Sequence, residues 1–257
     1  MLILKKRQAL LALFLCLSFA SQAQCLAEGE LKLAKVKRVV DGDTVHLTDG
    51  RKVRLVGINT PELDHQHGQH EAFAVAARER LVQMLKPDGN QLYWQPAQET
   101  EDHYGRKLYY LFTKDRASIS SQLLSDGLGY RIAVPPNVKY QDCLAESEQK
   151  ARQAQLGIWQ QPIAWQPQAG FAIVQSKITS VTHNRGGWWL ETDQDLVLRI
   201  PTYAAFYWTE KELFYLQGKV IEARGWQYQR KRSADDRYKT FVLTVKHPQD
   251  LRRIKSS

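Results

Sequence analysis

The sequence predicts a mainly β protein with some helix, of the α+β class, built from two small β-barrels. Short alternating apolar and polar segments occur twice, once between residues 31 and 112 and again between residues 171 and 246. A stretch rich in proline and glutamine separates the two sets. The chain of 257 residues, 43% hydrophobic and 25% charged, has the size and composition of two globular domains.

The first set of segments predicts a five-stranded barrel with three helices. Alternation and the Asp41-Gly42 and Asp49-Gly50 turns predict three antiparallel strands, and helical spacing predicts a helix after the third strand. Five short strands with a helix after the third is the order of an OB barrel. The predicted elements are strands at Leu31–Val40, Thr44–Leu47, Arg51–Ile58, Gln91–Trp94 and Lys107–Phe112, and helices at Glu71–Leu85, Ser118–Leu128 and Tyr140–Leu156, the last with Gly157 as its C-cap.

The second set predicts another small OB-like barrel, with a helical stretch around Tyr203 to Leu216. Its predicted strands are Phe171–Val181, Gly187–Glu191, Leu196–Ile200, Lys219–Trp226 and Lys239–Lys246. The expected organisation is therefore a signal peptide (1–23), a first domain (24–160), a linker (161–170) and a second domain (171–257).

The N-terminus has the pattern of a secretory signal peptide. Lys5, Lys6 and Arg7 precede an apolar run of 12 residues from Ala9 to Ala20, which is too short to span a bilayer. We expect cleavage after Ala23, with Ala27 as the second choice, and export to the periplasm or the medium. Removal of residues 1–23 lowers the formal charge from +9 to +6, so the mature chain stays basic, which favours a polyanionic partner.

Cleavage after Ala23 would leave two cysteines, Cys25 and Cys143, in an oxidising compartment. We expect a disulfide between them that ties the N-terminal arm to the helix near residue 143. The alternative is cleavage after Ala27, which would leave Cys143 as a free thiol.

The segment from Asp41 to Asp43 places two carboxylates two residues apart, on the same side of an extended backbone. Such a pair attracts a cation or raises the pKa of one of its members. A solvent-exposed Asp-Gly turn is the structural alternative.

Two further segments add ligands and arginines. Pro61 restricts Thr60 to an extended conformation and so fixes the direction of its carbonyl and of the Asn59 and Glu62 side chains. Arg54 lies in a strand that is apolar on both faces, so its charge needs an anion, supplied by Asp43, Glu62 or a bound phosphate. Arg106 follows the Tyr104-Gly105 turn, which can direct its guanidinium across a cleft.

Oxygen ligands suit a hard cation, guanidinium donors suit a phosphodiester, and a carboxylate can serve as a general base. These residues are therefore the parts of a metal-assisted phosphodiesterase. From about Leu33 to Trp159 the chain resembles the staphylococcal (micrococcal, thermonuclease) nuclease family. The strings that carry the resemblance are VVDGDTV, VRLVGINTPE, DHYGR, the Pro136-Asn137 loop and Leu156-Gly157-Ile158-Trp159.

The resemblance implies a role for each matching residue. Asp43 is similar to the first carboxylate that binds the metal, and Thr60 to the residue whose backbone carbonyl binds Ca²⁺. Asp41 is similar to an acid that supports these ligands without binding the ion. Glu62 corresponds to the residue that positions or deprotonates the attacking water, and Arg54 and Arg106 to the two phosphate-binding arginines. Asn59 departs from the pattern, since it stands where a second carboxylate ligand is expected, and an amide there should weaken metal affinity.

The leading hypothesis is therefore an exported, monomeric, Ca²⁺-dependent endonuclease acting on DNA, RNA or both, with Mg²⁺ and Mn²⁺ as alternative ions. The second is a nucleic-acid-binding OB protein with a weakened site, and the third is a structural or partner-binding protein of the cell envelope.

Two features outside the candidate site residues have alternative interpretations. The loop histidines could bind a transition metal together with Asp64, although such loops are more often solvated. The aromatics of the second half, with a basic run, suit single-stranded nucleic acid, but a small β domain also needs an aromatic core. The residues concerned are His65, His67 and His70 in the loop, and Trp188, Trp189, Tyr203, Phe206, Tyr207, Trp208, Trp226, Tyr228 and Arg230–Arg232 in the second half.

Overall fold

The computed structural model describes residues 25–64, 67–231 and 238–254. The expected signal peptide, His65, Arg232 and the acidic pair Asp235-Asp236 lie outside this part of the chain. None of the helices within it is long and apolar enough to cross a membrane.

The first half of the chain forms a closed five-stranded barrel with three α-helices. Its elements are β1 (Lys32–Val39), β2 (Thr44–Leu47), β3 (Lys52–Leu55), β4 (Ile58–Asn59), α1 (Ala74–Leu85), β5 (Gln91–Glu101), β6 (Lys107–Phe112), α2 (Ile119–Ser125), β7 (Tyr130–Arg131) and α3 (Gln141–Gln153). The barrel order is β1-β2-β3-β6-β5, with β3 parallel to β6 and the other pairs antiparallel. Two 3-10 helices, Lys86–Asp88 and Gly157–Gln160, complete this half.

Two glycines explain where these elements depart from the sequence prediction. The predicted strand Arg51–Ile58 is broken because Gly57 has φ +85°, and the chain then pairs Ile58 with Arg131 in a separate two-stranded sheet. The predicted C-cap at Gly157 is wrong. The cap of α3 is Ala154, whereas Gly157 begins a 3-10 helix and packs so closely on the Gly127 backbone that no Cβ would fit.

The second half forms another closed barrel with the same strand order. Its elements are β8 (Gly170–Asn184), β9 (Gly187–Thr192), β10 (Leu196–Pro201), α4 (Glu210–Tyr215), β11 (Val220–Gln229), β12 (Phe241–Thr244) and β13 (Leu251–Arg253), with 3-10 helices at Thr202–Tyr207 and Pro248–Asp250. The ring runs β8-β9-β10-β12-β11, with β10 parallel to β12, and β13 extends it beside β11. The predicted α+β class with two OB-like barrels is confirmed.

Each barrel has its own apolar core. The first core includes Val45, Leu55 and Phe112 from the strands and Leu81 from α1. The second includes Trp188, Leu198 and Leu243, with Leu213 from α4. In both barrels the helix after the third strand therefore helps to fill the interior, as burial of an amphipathic face requires.

A buried ionic network joins the two barrels. Glu222 on β11 accepts two hydrogen bonds of 2.9 Å from Arg152 on α3, and Arg224 on β11 donates to Glu148 on α3 at 2.7 Å. Although burial opposes it, Arg224 holds the pKa of Glu148 below its usual range. A small apolar cluster around Ala151, Trp159 and Ile173 lies beside this network and contains residues of both halves.

The N-terminal arm is tied to the first barrel by a disulfide. Cys25 and Cys143 are bonded, with a Cα–Cα distance of 5.4 Å and a sequence separation of 118 residues. The arm is also held by backbone hydrogen bonds, from Ala27 N to the Arg116 carbonyl and from Ser118 N to the Cys25 carbonyl. A cross-link over so long a loop removes much conformational freedom from the unfolded chain.

Candidate active site

The turn between β1 and β2 carries the two aspartates. The Asp41 carboxylate accepts a hydrogen bond of 3.0 Å from Asp43 N, which makes residues 41–43 a bend. The expectation of an extended backbone here is wrong, because the carboxylate closes a local turn instead. Gly42 is required at its centre, since a Cβ there would lie 2.7 Å from Ala77 Cβ and 2.8 Å from Thr60 Cγ2.

Asp43 connects this turn to the segment after β4. Its Oδ2 accepts from Thr60 N at 2.8 Å, and its Oδ1 accepts from the Thr44 hydroxyl at 3.1 Å. Its carboxylate also forms an ion pair with Arg54. Because Asp43, Thr60 and Arg54 are all buried, these contacts form in a place from which water is largely excluded.

Arg54 lies at the centre of β3, between Val53 and Leu55, whose side chains fill the barrel. Its Nη2 donates to the Asn59 side-chain oxygen at 3.0 Å. Its Nη1 forms the ion pair with the Asp43 carboxylate. Asp43 and Asn59 therefore fix the buried guanidinium at the edge of the acid cluster, where its charge can act on a bound phosphate.

Glu62 is held in place through its backbone by Glu71. Glu62 N donates to Glu71 Oε2 at 2.9 Å, and Glu71 N donates to the Glu62 carbonyl at 3.1 Å. This clamp joins the two ends of the loop that leads into α1. Glu71 was not predicted from the sequence, because a contact between residues nine positions apart leaves no periodic signal.

Arg106 lies just before β6, in the turn that connects β5 to β6. Its Nε donates to Asp102 Oδ2 at 2.8 Å, and its guanidinium lies 5.5 Å from the centroid of the Tyr104 ring. Asp102 also accepts from Arg106 N at 2.9 Å, so the side chain and the backbone are fixed by one carboxylate. The spacing of four residues between Asp102 and Arg106 was the available sequence signal for this pair.

The electrostatics of Glu62 show which charges surround it. The Glu62 residue is exposed at the surface, but partial desolvation by its neighbours raises the pKa of its carboxyl, the Asp43 carboxylate raises it further, and Arg54 and Arg106 oppose the rise. Burial also raises the pKa of Asp41 to about 7, with the Asp43 carboxylate as the next cause. The charged groups of this site therefore lie close enough together for their charges to interact. They are Asp41, Asp43, Glu62, Arg54 and Arg106.

The oxygen donors around Asp43 are of the type that a hard divalent cation binds. Burial beside Asp43 makes the Asp41 carboxylate costly to ionise, and a cation would remove that cost. Within the described residues, however, no three His, Cys, Asp or Glu side chains form a metal-binding group. A ligand set here must therefore combine carboxylate oxygen with neutral amide and carbonyl oxygen.

Of the loop histidines, His67 and His70 lie in the described part of the chain, and neither belongs to a metal-binding group there. His67 Nδ1 lies 3.1 Å from Asp64 Oδ2, and His67 N donates to Asp64 Oδ1 at 2.8 Å. His67 is exposed, so this contact is a local turn at the surface. The zinc or nickel interpretation gains no support from the described part of the loop.

A cavity of about 400 Å³ lies at the junction of the barrels and away from these acids. It is lined by Arg131, Glu148, Arg152 and Arg224, among others. Their charges are paired with each other and with Glu222, so this cavity belongs to the interface.

The first barrel, with Asp43 and Arg54 buried together beside Glu62 and Arg106, is similar to a family of known proteins. A family described as "Staphylococcal nuclease homologue" matches residues 52–161. A thermonuclease of Staphylococcus intermedius is 33% identical over 128 residues, which cover 49% of this chain and 74% of that protein. A micrococcal nuclease of Shigella flexneri is 29% identical over 149 residues, covering 52% of this chain and 76% of that protein.

A thermonuclease of Staphylococcus hyicus is 27% identical over 128 residues and covers the same shares, 49% and 74%. The chain therefore belongs to the staphylococcal nuclease family, as the sequence strings predicted. The family match ends at residue 161, so the second barrel lies outside it.

Proposed function

We propose that this chain is an exported, metal-dependent endonuclease that hydrolyses phosphodiester bonds in DNA, RNA or both. The observation that carries the proposal is the electrostatic neighbourhood of Glu62, which contains Asp43, Arg54 and Arg106. The relatives named thermonuclease and micrococcal nuclease support the same activity.

In this proposal Arg54 and Arg106 hold the scissile phosphate. Arg54 is already desolvated, and Asp43 and Asn59 hold its guanidinium in place. Asp102 already holds the Arg106 side chain by a hydrogen bond, so little side-chain freedom is lost when a phosphate binds. Guanidinium groups fixed in a dry site stabilise the negative charge that builds up on the phosphorus oxygens in the transition state.

Glu62 positions the attacking water and takes its proton. A raised pKa brings a carboxylate closer to neutral pH, where it is a more effective base. The Glu71 clamp fixes the backbone of Glu62, and the neighbouring Pro61 limits the preceding residue to extended conformations. Water attacks phosphorus directly and the P–O bond to the departing nucleoside oxygen breaks, so no covalent intermediate forms, and the leaving oxygen takes its proton from solvent.

Asp43, Asn59 and Thr60 would hold Ca²⁺, with Mg²⁺ or Mn²⁺ as alternatives, and Asp41 would support Asp43 through its hydrogen bond to Asp43 N. A cation bound there supplies Lewis acidity toward the phosphate oxygen and the water. All residues of the proposed site come from one chain, so the site needs no partner subunit, and a monomer is the proposed active species.

Export is part of the proposal. The signal-like N-terminus and the Cys25–Cys143 disulfide both suit an oxidising compartment. Intact mass of the mature protein before and after reduction and alkylation tests both points, because it gives the N-terminus and the number of free thiols. A mature chain that begins beyond Cys25 would contradict the disulfide.

The test of the activity is cleavage of labelled single-stranded DNA, duplex DNA and RNA by protein lacking residues 1–23. We expect hydrolysis with Ca²⁺ that a chelator abolishes and that added metal restores. Binding without cleavage in Ca²⁺, Mg²⁺ and Mn²⁺ would overturn the proposal.

That second result would favour a catalytically weakened nucleic-acid-binding protein. The observation in its favour is that Asn59 uses its side-chain oxygen to accept from Arg54 and brings no charge to the cation. Cleavage that requires millimolar metal would place the protein between the two candidates.

A further inference from the structure

The second barrel has an outer face that its core does not use. In the strand register Trp189 is opposite Arg199, Arg199 is beside Thr244, and Thr244 is opposite Trp226. The flanking residues Trp188 and Leu198 fill the barrel interior. Since side chains alternate along a strand, this row points outward. We call it, with Tyr228, Arg230 and Tyr238, the Trp189 face.

The β8–β9 turn holds the Trp189 side chain at one end of this row. Its Nε1 donates to Asn184 Oδ1 at 2.9 Å, and the same oxygen accepts from Gly186 N at 2.8 Å. Arg199 Nε and Nη2 donate to the Gly186 carbonyl at 3.2 and 3.1 Å. The β8–β9 turn therefore fixes both side chains, and no ordering cost remains for them when a ligand binds.

Two arginines lie on the Trp189 ring. The guanidinium carbon of Arg199 is 5.4 Å from its centroid, and that of Arg230 is 5.1 Å away. Arg230 is also 5.7 Å from the Tyr238 ring. A guanidinium on an aromatic face keeps its N–H donors at the edge of the stack, where a phosphate oxygen can accept them.

The aromatics that complete the face are exposed. Trp226 is 45% exposed, Tyr228 is 42% and Tyr238 is 62%. The core explanation holds for Trp188, which is buried, whereas Trp226 and Tyr228 stay exposed, although Trp226 also contacts the Phe171 ring edge-on at 5.5 Å. Exposed rings beside arginines match the two requirements of a single strand, stacking of its bases and neutralisation of its phosphates.

The position of the face within the barrel agrees with this chemistry. Trp189 and Arg199 lie on the second and third strands of the ring, and Arg230 begins the connection from the fourth strand to the fifth. This is the part of an OB barrel at which oligonucleotides bind in general. Arg185, in the β8–β9 turn, and Lys231, after Arg230, add positive charge at its edges.

We propose that the Trp189 face binds single-stranded nucleic acid, with bases stacked on the aromatics and phosphates held by Arg199 and Arg230. The proposal rests on the proposed function, because a strand held there would be the substrate that the first barrel cleaves. The second barrel would then determine which nucleic acid is bound, single-stranded in preference to duplex, and the first barrel would break the bond.

The test measures binding without cleavage. Fluorescence anisotropy of a labelled 15-nucleotide oligo-dT is recorded with the full chain carrying Glu62→Gln, in the presence of chelator. We expect Trp189→Ala to weaken binding about tenfold or more and Trp189→Phe to retain most of it. Arg199→Gln with Arg230→Gln should lower the salt slope of log K by about 1.4, roughly 0.7 for each phosphate contact on a single strand.

The matched control is a second aromatic–arginine pair on the same barrel. Tyr215 is 58% exposed, and Arg253 lies 5.5 Å from its ring. Tyr215→Ala with Arg253→Gln removes the same chemistry elsewhere and should leave the Kd within twofold. Circular dichroism and the thermal midpoint of each variant verify that the barrel is folded.

The proposal would be overturned if Trp189→Ala and the control with Tyr215→Ala and Arg253→Gln weakened oligo-dT binding equally. Binding of duplex DNA or heparin as tight as binding of oligo-dT would also overturn it. Its failure is distinct from failure of the proposed function, because binding is measured without turnover. A protein that binds through Trp189 but never cleaves would keep this proposal and refute the nuclease.

Discussion

The two barrels share one topology and carry different chemistry. Each has its third strand parallel to its fifth and a helix between the third and the fourth. Each also places an arginine on the outer side of the third strand, Arg54 on β3 and Arg199 on β10, between residues that fill the core. The difference between the barrels therefore comes from what surrounds an equivalent arginine.

In the first barrel the chain turns back over that arginine. Gly57 allows the turn, and Asn59 and Asp43 then contact the Arg54 guanidinium and bury it. In the second barrel the chain after β10 enters a 3-10 helix at Thr202, and Arg199 stays at the surface against Trp189. A buried arginine next to acids suits catalysis on a phosphate, whereas an exposed one on an aromatic ring suits binding of a strand.

The comparison is tested most strongly by removing each arginine in turn. Arg54→Gln should lower the rate of oligonucleotide cleavage at saturation by about 10²- to 10³-fold, because a fixed transition-state donor is lost. Arg199→Gln should instead raise the substrate concentration needed for half-maximal rate. Equal losses of rate at saturation in both variants would show that the barrels are not specialised in this way. Arg80→Gln, at an exposed ion pair on α1, is the control.

The ionic network between the barrels should contribute strongly to stability. The Glu222 side chain is 1% exposed and pairs with Arg152, Arg224 and Arg252. Glu222→Gln would leave buried arginines with less charge compensation and should lower the free energy of unfolding by about 3 kcal/mol. Chemical denaturation measures this. Glu101→Gln, at an exposed pair with Lys107, should change it by no more than about 0.5 kcal/mol. Equal effects of both variants would mean that the network does not hold the barrels together.

The disulfide distinguishes the barrels in a second way, because the second barrel contains no cysteine. Cys25→Ala with Cys143→Ala should lower the free energy of unfolding by about 2 kcal/mol, since the unfolded chain regains the freedom of a long loop. Hydrogen exchange should show the loss in the first barrel. A loss confined to the second barrel would contradict this assignment.

A pH dependence of stability is expected at Asp250, in the second half, whose carboxylate accepts hydrogen bonds from Ala133 N at 3.1 and 3.2 Å. Burial raises the pKa of Asp250 to about 6, so the folded chain keeps a proton that the unfolded chain loses above about 3.8. Stability from this group is present below about pH 4 and is lost as the pH rises to about 6, at no more than about 1.4 kcal/mol per pH unit.

Asp250→Asn should therefore gain stability relative to the unsubstituted protein between pH 4 and 6, measured by urea unfolding at each pH. A constant difference across that range would contradict the raised pKa.

Sequence patterns predicted elements that have a clear period and missed contacts that depend on a loop. The bounds of β2 and β6 agree with the prediction, because alternation and flanking turns define them. The β4–β7 pair was missed because strands of two residues have no period. The contacts of Glu148 and Arg152 with the second barrel were not predicted, since nothing local in the sequence indicates that another domain covers this helix.

The same division holds at the candidate site. The strings around Asp43, Thr60 and Arg54 predicted the residues, and the structure adds how Asp43 connects them. Glu71 was not predicted, because its contact depends on the path of the backbone, and the bend at Asp41 was predicted only as the alternative Asp-Gly turn. The Trp189 face required the strand register, which joins residues 37 positions apart, Trp189 to Trp226.

The most direct test of the central claim is the rate of phosphodiester cleavage by Glu62→Gln protein in a single-turnover experiment with saturating Ca²⁺. Loss of the carboxylate that receives the water proton should lower that rate by about 10²- to 10⁴-fold, while oligonucleotide affinity and the thermal midpoint stay close to those of the unsubstituted protein. A Glu62→Gln variant that cleaves at a nearly unchanged rate would contradict the assignment of hydrolysis to the acid and arginine cluster of the first barrel.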